Sequence, residues 1–324
     1  MASSKGASAI SGATTGEAAL PRSFLVGAFL GPRLRRRLTP YLFLAPGYLV
    51  FAIFMLYPLA KAIQISFYRW QLAPGRESQF IGLSNYAAVL HDPISWIALR
   101  NTVIYAVGTV PTQIALGLLV ASLLDSITRL RVFFRTLYYL PVITSWVVVS
   151  ILFKYLFSSD AGLANYVLHD VLHVLPGYVG WLQEVPSALF VIALLGVWKG
   201  TGWSMLIFLA ALQSIPKETR EAADVDGAGP ITAYTRVVLP MLRPVVLFVM
   251  VLLVIGSFNV FISVYLITGG GPIHQTEVLL SYMYHQAFDF LDFGFGAALS
   301  NLLAILIVGL SLLQIRFLRR EVEA

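Results

Sequence analysis

KETREAADVDGAGPITAYTRVVLPMLRP, Lys217 to Pro244, is the sizeable polar island of the second half of the chain, set between two long apolar runs. Lys217 and Glu221, and Arg220 and Asp224, are opposite charges four apart, the spacing that supports a short solvent-exposed helix. Ala222, Ala223 and Gly227 leave one side of that helix almost bare, so a partner could approach its backbone closely. Gly227 and Gly229 end it, Pro230 suits the first turn of a second helix, and Pro240 and Pro244 punctuate the return into an apolar segment. The stretch therefore predicts helix, glycine turn, helix, held at a membrane surface.

The order of residues separates this island from an ordinary connecting loop. Glu221-Ala222-Ala223, then Gly227, then Val237 and Leu239-Pro240 follow the pattern EAA, three residues, G, nine residues, I, one residue, LP, with Val237 in place of Ile. This resembles the cytoplasmic coupling loop of permease subunits in binding-protein-dependent ABC importers. The resemblance implies that Glu221, Ala222, Ala223, Asp226, Gly227, Leu239 and Pro240 couple the chain to a separate ATPase, with Glu221 entering a groove of it.

Outward from the loop, composition places the chain in a bilayer. It is 58% hydrophobic and 12% charged, against about 25% charge in an average soluble domain. There is no cysteine, which removes disulfides and thiolate metal or redox chemistry. Six apolar stretches are long enough to cross a hydrocarbon core that needs about 20 residues of helix: Tyr41–Ala60, Asn101–Leu124, Thr136–Phe153, Pro186–Leu212, Pro244–Ile267 and Phe293–Ile315. The fold expected is all-α and polytopic, with a membrane domain over 39–320, its coupling loop at 213–243, and a short end at 321–324. Residues 1–38, rich in Ala, Ser and Gly and closed by Arg33–Arg37, read as a disordered basic tail. The uncharged run after them is too long for a signal-peptide core and lacks a small-residue cleavage site.

Arg and Lys crowd the tail, the connection with Arg129, Arg131 and Arg135, the loop with Lys217, Arg220, Arg236 and Arg243, and the C-terminus. Apart from Lys61 and Lys154, which sit at span ends and snorkel, the three opposite connections hold Arg69, Arg76 and Arg100, then none, then none. The positive-inside rule makes both termini and the Glu221 loop cytoplasmic. The net charge of +6 reflects this topology rather than a nucleic-acid partner.

Further segments, FRTLYYLP at Phe134–Pro141, VWKGTGW at Val197–Trp203 and TGGGP at Thr268–Pro272, are similar to positions of carbohydrate-type members of the same family. All 16 Asp and Glu lie outside the six runs, and no interrupted helix is visible in them, although a proton- or sodium-coupled carrier usually needs one or the other at mid-depth. No Gly-Lys dipeptide occurs, hence no phosphate-binding loop. The expected drive is ATP and Mg²⁺ on a partner ATPase, with no cofactor bound by this chain.

Lys199 is the one charge at the middle of a span, flanked by Trp198 and Trp203. Two readings stand side by side: a polar passage with aromatic faces for sugar rings, or a structural lysine bonded to backbone or a second subunit. In the fifth run Ser257, Asn259, Ser263 and Tyr265 are the polar candidates, and Ser257 and Asn259 fall on different helix faces. His169 and His173, four apart, have a metal-compatible spacing but no third ligand. The chain reads as a multi-pass permease subunit in a bacterial or archaeal cytoplasmic membrane, importing a sugar or oligosaccharide by alternating access. Its expected partners are a second, similar permease, an ATPase dimer, an external substrate-binding protein and membrane lipid. Glycerol phosphate or a glycerophosphodiester is the alternative cargo, and a secondary transporter or channel the rival class.

Overall fold

The structure is a computed structural model, and it describes residues 32–72, 75, 77–127 and 129–322. The chain divides into two units, one ending at Pro58 and one beginning at Leu59. In the first, α1 (Pro32–Phe51) passes into a π-helical turn at Ala52–Leu56, and Tyr57 opens α2 (Tyr57–Ile65). Its apolar side chains are exposed, Phe43 and Phe54 among them, as suits a helix solvated by hydrocarbon. The Arg33–Arg37 run is helical, not part of an unstructured tail reaching residue 38. Pro32 at the helix start and the good helix formers Leu34 and Arg35–Arg37 account for this. The tail expected over residues 1–31 lies outside the described residues.

The second unit opens with a two-stranded ribbon, β1 (Tyr68–Arg69) antiparallel to β2 (Gln79–Phe80), with Tyr68 opposite Phe80. Then α3 (Ser84–His91) leads into α4 (Pro93–Ser126), whose start is capped by Asp92 accepting from the Ser95 amide at 2.8 Å. Next come α5 (Arg131–Ile143), α6 (Trp146–Leu156) and the short α7 (Leu163–Asn165). The long α8 (Val185–Ser214) ends at the polar island, which forms α9 (Lys217–Val225), α10 (Pro230–Ala233), a π turn at Tyr234–Val238, and α11 (Leu239–Met241). The chain returns through α12 (Arg243–Phe258) and α13 (Ile262–Ile267), then forms α14 (Leu279–Tyr284), a π turn at His285–Asp289, and α15 (Phe293–Val322).

Five helical stretches are long and apolar enough to cross a membrane, at Thr39–Ile65, Pro93–Ser126, Val185–Ser214, Pro230–Ile267 and Phe293–Arg316. The sixth expected span departs from a straight helix: α5 and α6 meet at 91°. A second interruption falls at Asn259–Phe261, between α12 and α13. Both overturn the expectation that no span is interrupted. Hydropathy registers neither break, because the residues around them stay apolar.

The centre of the second unit is the α4–α8 pair. Gly196, Gly200 and Ser204, four apart on α8, form a stripe of small residues that lets α4 approach. A Cβ at Gly196 or Gly200 would collide with Tyr105 or Gln113, and one at Gly117 of α4 would sit 2.7 Å from the Ser204 Cβ. Apolar clusters bury the rest of the pair, including Met205, Phe208, Leu209 and Leu212 near the island and Ile192 and Leu195 at the other end.

Candidate functional site

Between α4, α8, the α5–α6 corner and the α12–α13 break lies a cavity of about 650 Å³. From α4 it receives Tyr105, Thr109 and Gln113, which recur every four residues and so fall on one face. That polar stripe shows in the sequence as a period of four inside an apolar run. From α8 come Lys199 and Trp203, and from the break Ser257, Asn259, Phe261 and Ser263. Ser257 and Asn259, expected on different faces, both reach the cavity because α12 stops at Phe258 and the chain turns before α13.

Of the five expected passage residues, Lys199, Trp203 and Asn259 line the cavity, whereas Trp198 and Tyr265 do not. Consecutive helical residues point about 100° apart, so Trp198 looks away from Lys199 and rests against Phe153, ring centroids 5.9 Å apart. Tyr265 packs against Phe261 and Tyr284.

Lys199 resolves chemically as a cap. Its Nζ donates to the carbonyls of Pro141 at 2.7 Å, Val142 at 3.2 Å and Thr144 at 2.6 Å, and lies 5.0 Å from the centre of the Trp146 ring. A helix end leaves its last carbonyls unpaired, and those of α5 are orphaned here because the chain turns at Thr144. The ammonium satisfies them and complements the negative end of the helix dipole. An unpaired lysine at mid-bilayer costs about 3 kcal/mol on insertion scales, which these carbonyls and the indole face offset. Thr144 closes the corner, its Oγ1 donating to the Pro141 carbonyl at 2.6 Å.

On the side away from the polar island, the segment Thr268–Asp292 is fastened to α4 from within. Asn101 Nδ2 donates to the carbonyls of Gln275 at 2.7 Å and Glu277 at 2.9 Å, and the Leu279 amide donates to Thr102 Oγ1 at 3.0 Å. Glu277 is fully buried: its carboxylate accepts from Ser281 and lies 3.0 Å from His274 Nδ1 and 3.7 Å from His285 Nε2. Nothing in the sequence marked Glu277, which sits in a segment read as external. Farther along the same side, Asn165 is buried and bonded to Ser159, Val179 and Trp181. Beside it Asp170 accepts from Tyr178 Oη at 2.6 Å and faces His169 Nδ1 at 2.8 Å. The Tyr178 hydrogen bond, and then the one with His169, hold the Asp170 carboxyl below its ordinary pKa.

The polar island has the expected helix–turn–helix form. Gly227 has φ of +76°, and the Ala228 amide reaches back to the Ala223 carbonyl at 3.0 Å, closing α9 in a Schellman turn. Gly229 precedes Pro230 at the first position of α10. Glu221, Ala222 and Asp226 are exposed, Ala223 is buried, and Leu239 and Pro240 are half-buried. The second half of the island is pinned to the spans. Tyr234 Oη meets Ser122 Oγ of α4 at 2.7 Å, and Val238 and Leu242 pack with Leu124 and Leu212.

Comparison with known proteins follows the same lines. The family model described as binding-protein-dependent transport system inner membrane component matches residues 113–321. The lactose transport system permease protein LacF of Rhizobium radiobacter is 36% identical over 85% of this chain and 92% of its own. The sn-glycerol-3-phosphate transport system permease protein UgpA of Yersinia enterocolitica is 35% identical over 88% of this chain and 95% of its own. Among solved structures, a chain of the bacterial alginate ABC transporter in complex with alginate pentasaccharide-bound periplasmic protein superposes with a TM-score of 0.79. It covers 90% of this chain and 99% of that one at 22% identity, a likeness of fold.

Proposed function

The chain belongs to the family of binding-protein-dependent transport system inner membrane components, and on that premise we propose that it passes a neutral sugar or oligosaccharide through an ATP-driven importer. The observation that carries the substrate class is the cavity lining. Among the described residues its single charged side chain is Lys199, which already donates to three carbonyls, and no carboxylate lines it. Among largely apolar walls such as Leu252, Leu253 and Val260, the amide, hydroxyl and ring groups at the space are Gln113, Asn259, Ser257 and Trp203. These groups suit a polyhydroxylated neutral molecule, whose hydroxyls donate and accept and whose C–H faces lie on aromatic rings. Glycerol phosphate, the cargo named for one relative, would bring an anion to a lining without an uncommitted cation.

In this reading a second, similar permease completes the passage, and an ATPase dimer carries ATP and Mg²⁺. A binding protein delivers substrate from outside. Both termini and the Glu221 loop are cytoplasmic, supported by the crowding of Arg and Lys on that side. Glu221 and the bare Ala222 lie open for the ATPase, while Tyr234, Val238 and Leu242 are locked to the ends of α4 and α8. A push on α9 therefore tilts the two helices that wall the cavity.

Uptake of labelled lactose, an arabinotriose and sn-glycerol 3-phosphate by the complete transporter in proteoliposomes tests the substrate class. We expect at least one of the sugars to be carried and the phosphate to be excluded; uptake of the phosphate alone overturns the reading. Orientation is tested with single cysteines in this cysteine-free chain, at exposed Val174 and exposed Thr232. An impermeant thiol reagent labels Val174→Cys on intact cells and Thr232→Cys only after permeabilisation.

A further inference from the structure

Five aromatic rings form a continuous path that ends in the cavity. From the outer end, Phe293 and Phe288 have centroids 5.9 Å apart, Phe288 and Tyr284 5.0 Å, Tyr284 and Tyr265 5.2 Å, and Tyr265 and Phe261 5.3 Å. Tyr284 also touches Phe261 directly at 5.1 Å. Phe261 is the ring that lines the cavity, at the break between α12 and α13. The other end lies in the segment around the π turn His285–Asp289, a distortion often found at functional sites.

Ordinary core packing does not explain the row. None of the five belongs to an apolar core cluster, although their neighbours Tyr282 and Phe295 do. Phe288 is 56% exposed, and the other four are half-buried. Polar groups accompany the rings: His285 lies 5.8 Å from the Tyr265 ring and pairs with exposed Asp289, and Asn259 and Ser263 flank Phe261 at the inner end. Ring faces bordered by acid, imidazole, amide and hydroxyl groups are what a pyranose ring needs, apolar on its C–H face and hydrogen-bonding at its rim.

We propose that Phe293, Phe288, Tyr284, Tyr265 and Phe261 are a carbohydrate-binding ladder that guides the sugar from the outer face into the cavity. The inference rests on the carbohydrate reading above. It returns Tyr265, which does not line the cavity, to the substrate pathway one step before it. The ladder is built on the side fixed by the Glu277, Asn101 and Thr102 bonds, so its outer rungs stand on a rigid base.

The test uses the complete transporter in proteoliposomes with the lactose, arabinotriose and sn-glycerol 3-phosphate panel. Phe288 is the rung to change, because its exposure makes Phe288→Leu compatible with folding, and Phe288→Trp restores a ring. Phe288→Leu is expected to lower the maximal uptake rate of a carried sugar about fivefold, the change that one aromatic contact of ordinary strength represents. Phe288→Trp keeps the rate near wild type, and the loss is larger for the trisaccharide than for the disaccharide where both are carried. Equal sugar rates for Phe288→Leu and wild type overturn the ladder and leave the carbohydrate reading standing. A rise in the binding-protein concentration required, at unchanged maximal rate, makes Phe288 a docking contact and also overturns it. Uptake of the phosphate without any sugar overturns the carbohydrate reading and the ladder together.

Discussion

Gly227 and Gly270 both have positive φ, +76° and +80°, in two connecting segments at different places in the chain. Their surroundings are opposite. A Cβ on Gly227 would meet nothing within 4 Å, whereas one on Gly270 would collide with the buried Glu277 carboxylate. Both glycines answer a backbone requirement, but only Gly270 is also enclosed by its own chain. The open space at Gly227 suits a partner's approach, and the enclosed space at Gly270 belongs to the fold. The comparison shows how a loop proposed to transmit force differs from a loop that holds shape: one is anchored along its second half and bare along its first, the other is bonded from within.

The sharpest way to break this comparison is to add one methyl group at each place. Gly270→Ala incurs left-handed strain of about 1–2 kcal/mol and overpacking against Glu277 of about 1–3 kcal/mol. We expect a large loss of folded protein, read as a lower melting temperature in detergent. Gly227→Ala incurs the strain alone and should melt a few degrees below wild type but well above Gly270→Ala. Equal losses at the two positions would mean that enclosure does not matter.

Lys199→Met sets an interior bond against the same standard. It strands the Val142 and Thr144 carbonyls, at about 1–3 kcal/mol for each unsatisfied buried group, leaves the Pro141 carbonyl its bond from Thr144 Oγ1, and relieves the cost of burying a charge. A net destabilisation of about 2 kcal/mol is expected, for every substrate alike, with protease sensitivity appearing at the Thr144 corner. Unchanged melting combined with loss of transport would move Lys199 from the helix cap to the substrate.

On the exposed side, Gly227→Asn and Gly227→Asp both tolerate positive φ, so their stabilities should differ by less than about 0.5 kcal/mol. Transport should separate them, because the aspartate places a charge where the ATPase is proposed to dock. Gly227→Asp is expected to abolish uptake at matched membrane levels and Gly227→Asn to reduce it a few-fold. Normal uptake by the aspartate variant would remove the loop from coupling.

The smallest expected effect is at Asp170, which the solvent screens. Its folded pKa is depressed, so the stability it contributes is present above the unfolded carboxylate pKa, about 3.9, and is lost as pH falls through the folded value. Tyr178→Phe removes the leading cause of that depression. The Asp170 titration followed by isotope-edited NMR should move up toward the unfolded value, with neutral-pH melting nearly unchanged. A titration that does not move would show that Tyr178 is not the controlling partner.

How much of this was legible beforehand follows from the range of the forces involved. The apolar runs located the five long apolar helices and the bent α5–α6 pair, and α9 with its glycine turn could be written down from Lys217 to Pro230, because a cap, a turn and a hydropathy window each act over a few residues. The α5–α6 corner was missed because Pro141, Thr144 and Ser145 interrupt the helix without interrupting its apolarity. The stripe Tyr105, Thr109 and Gln113 is visible as a period of four, a signal that an average of hydropathy over the run hides.

The sequence by itself determined that the chain is a membrane protein, where its apolar runs lie, and that a polar helix–turn–helix interrupts them. Composition and local spacing suffice for each. Only the tertiary structure decided which buried polar groups find each other. Lys199 meets carbonyls 55 to 58 residues away, and Asn101 meets carbonyls 174 and 176 residues away. A buried ammonium or amide needs a partner wherever hydrocarbon excludes water, yet the need does not say which of many carbonyls will answer it. Helix packing settles that choice, through the small residues that bring α4 and α8 together and the corner that presents the end of α5 to Lys199.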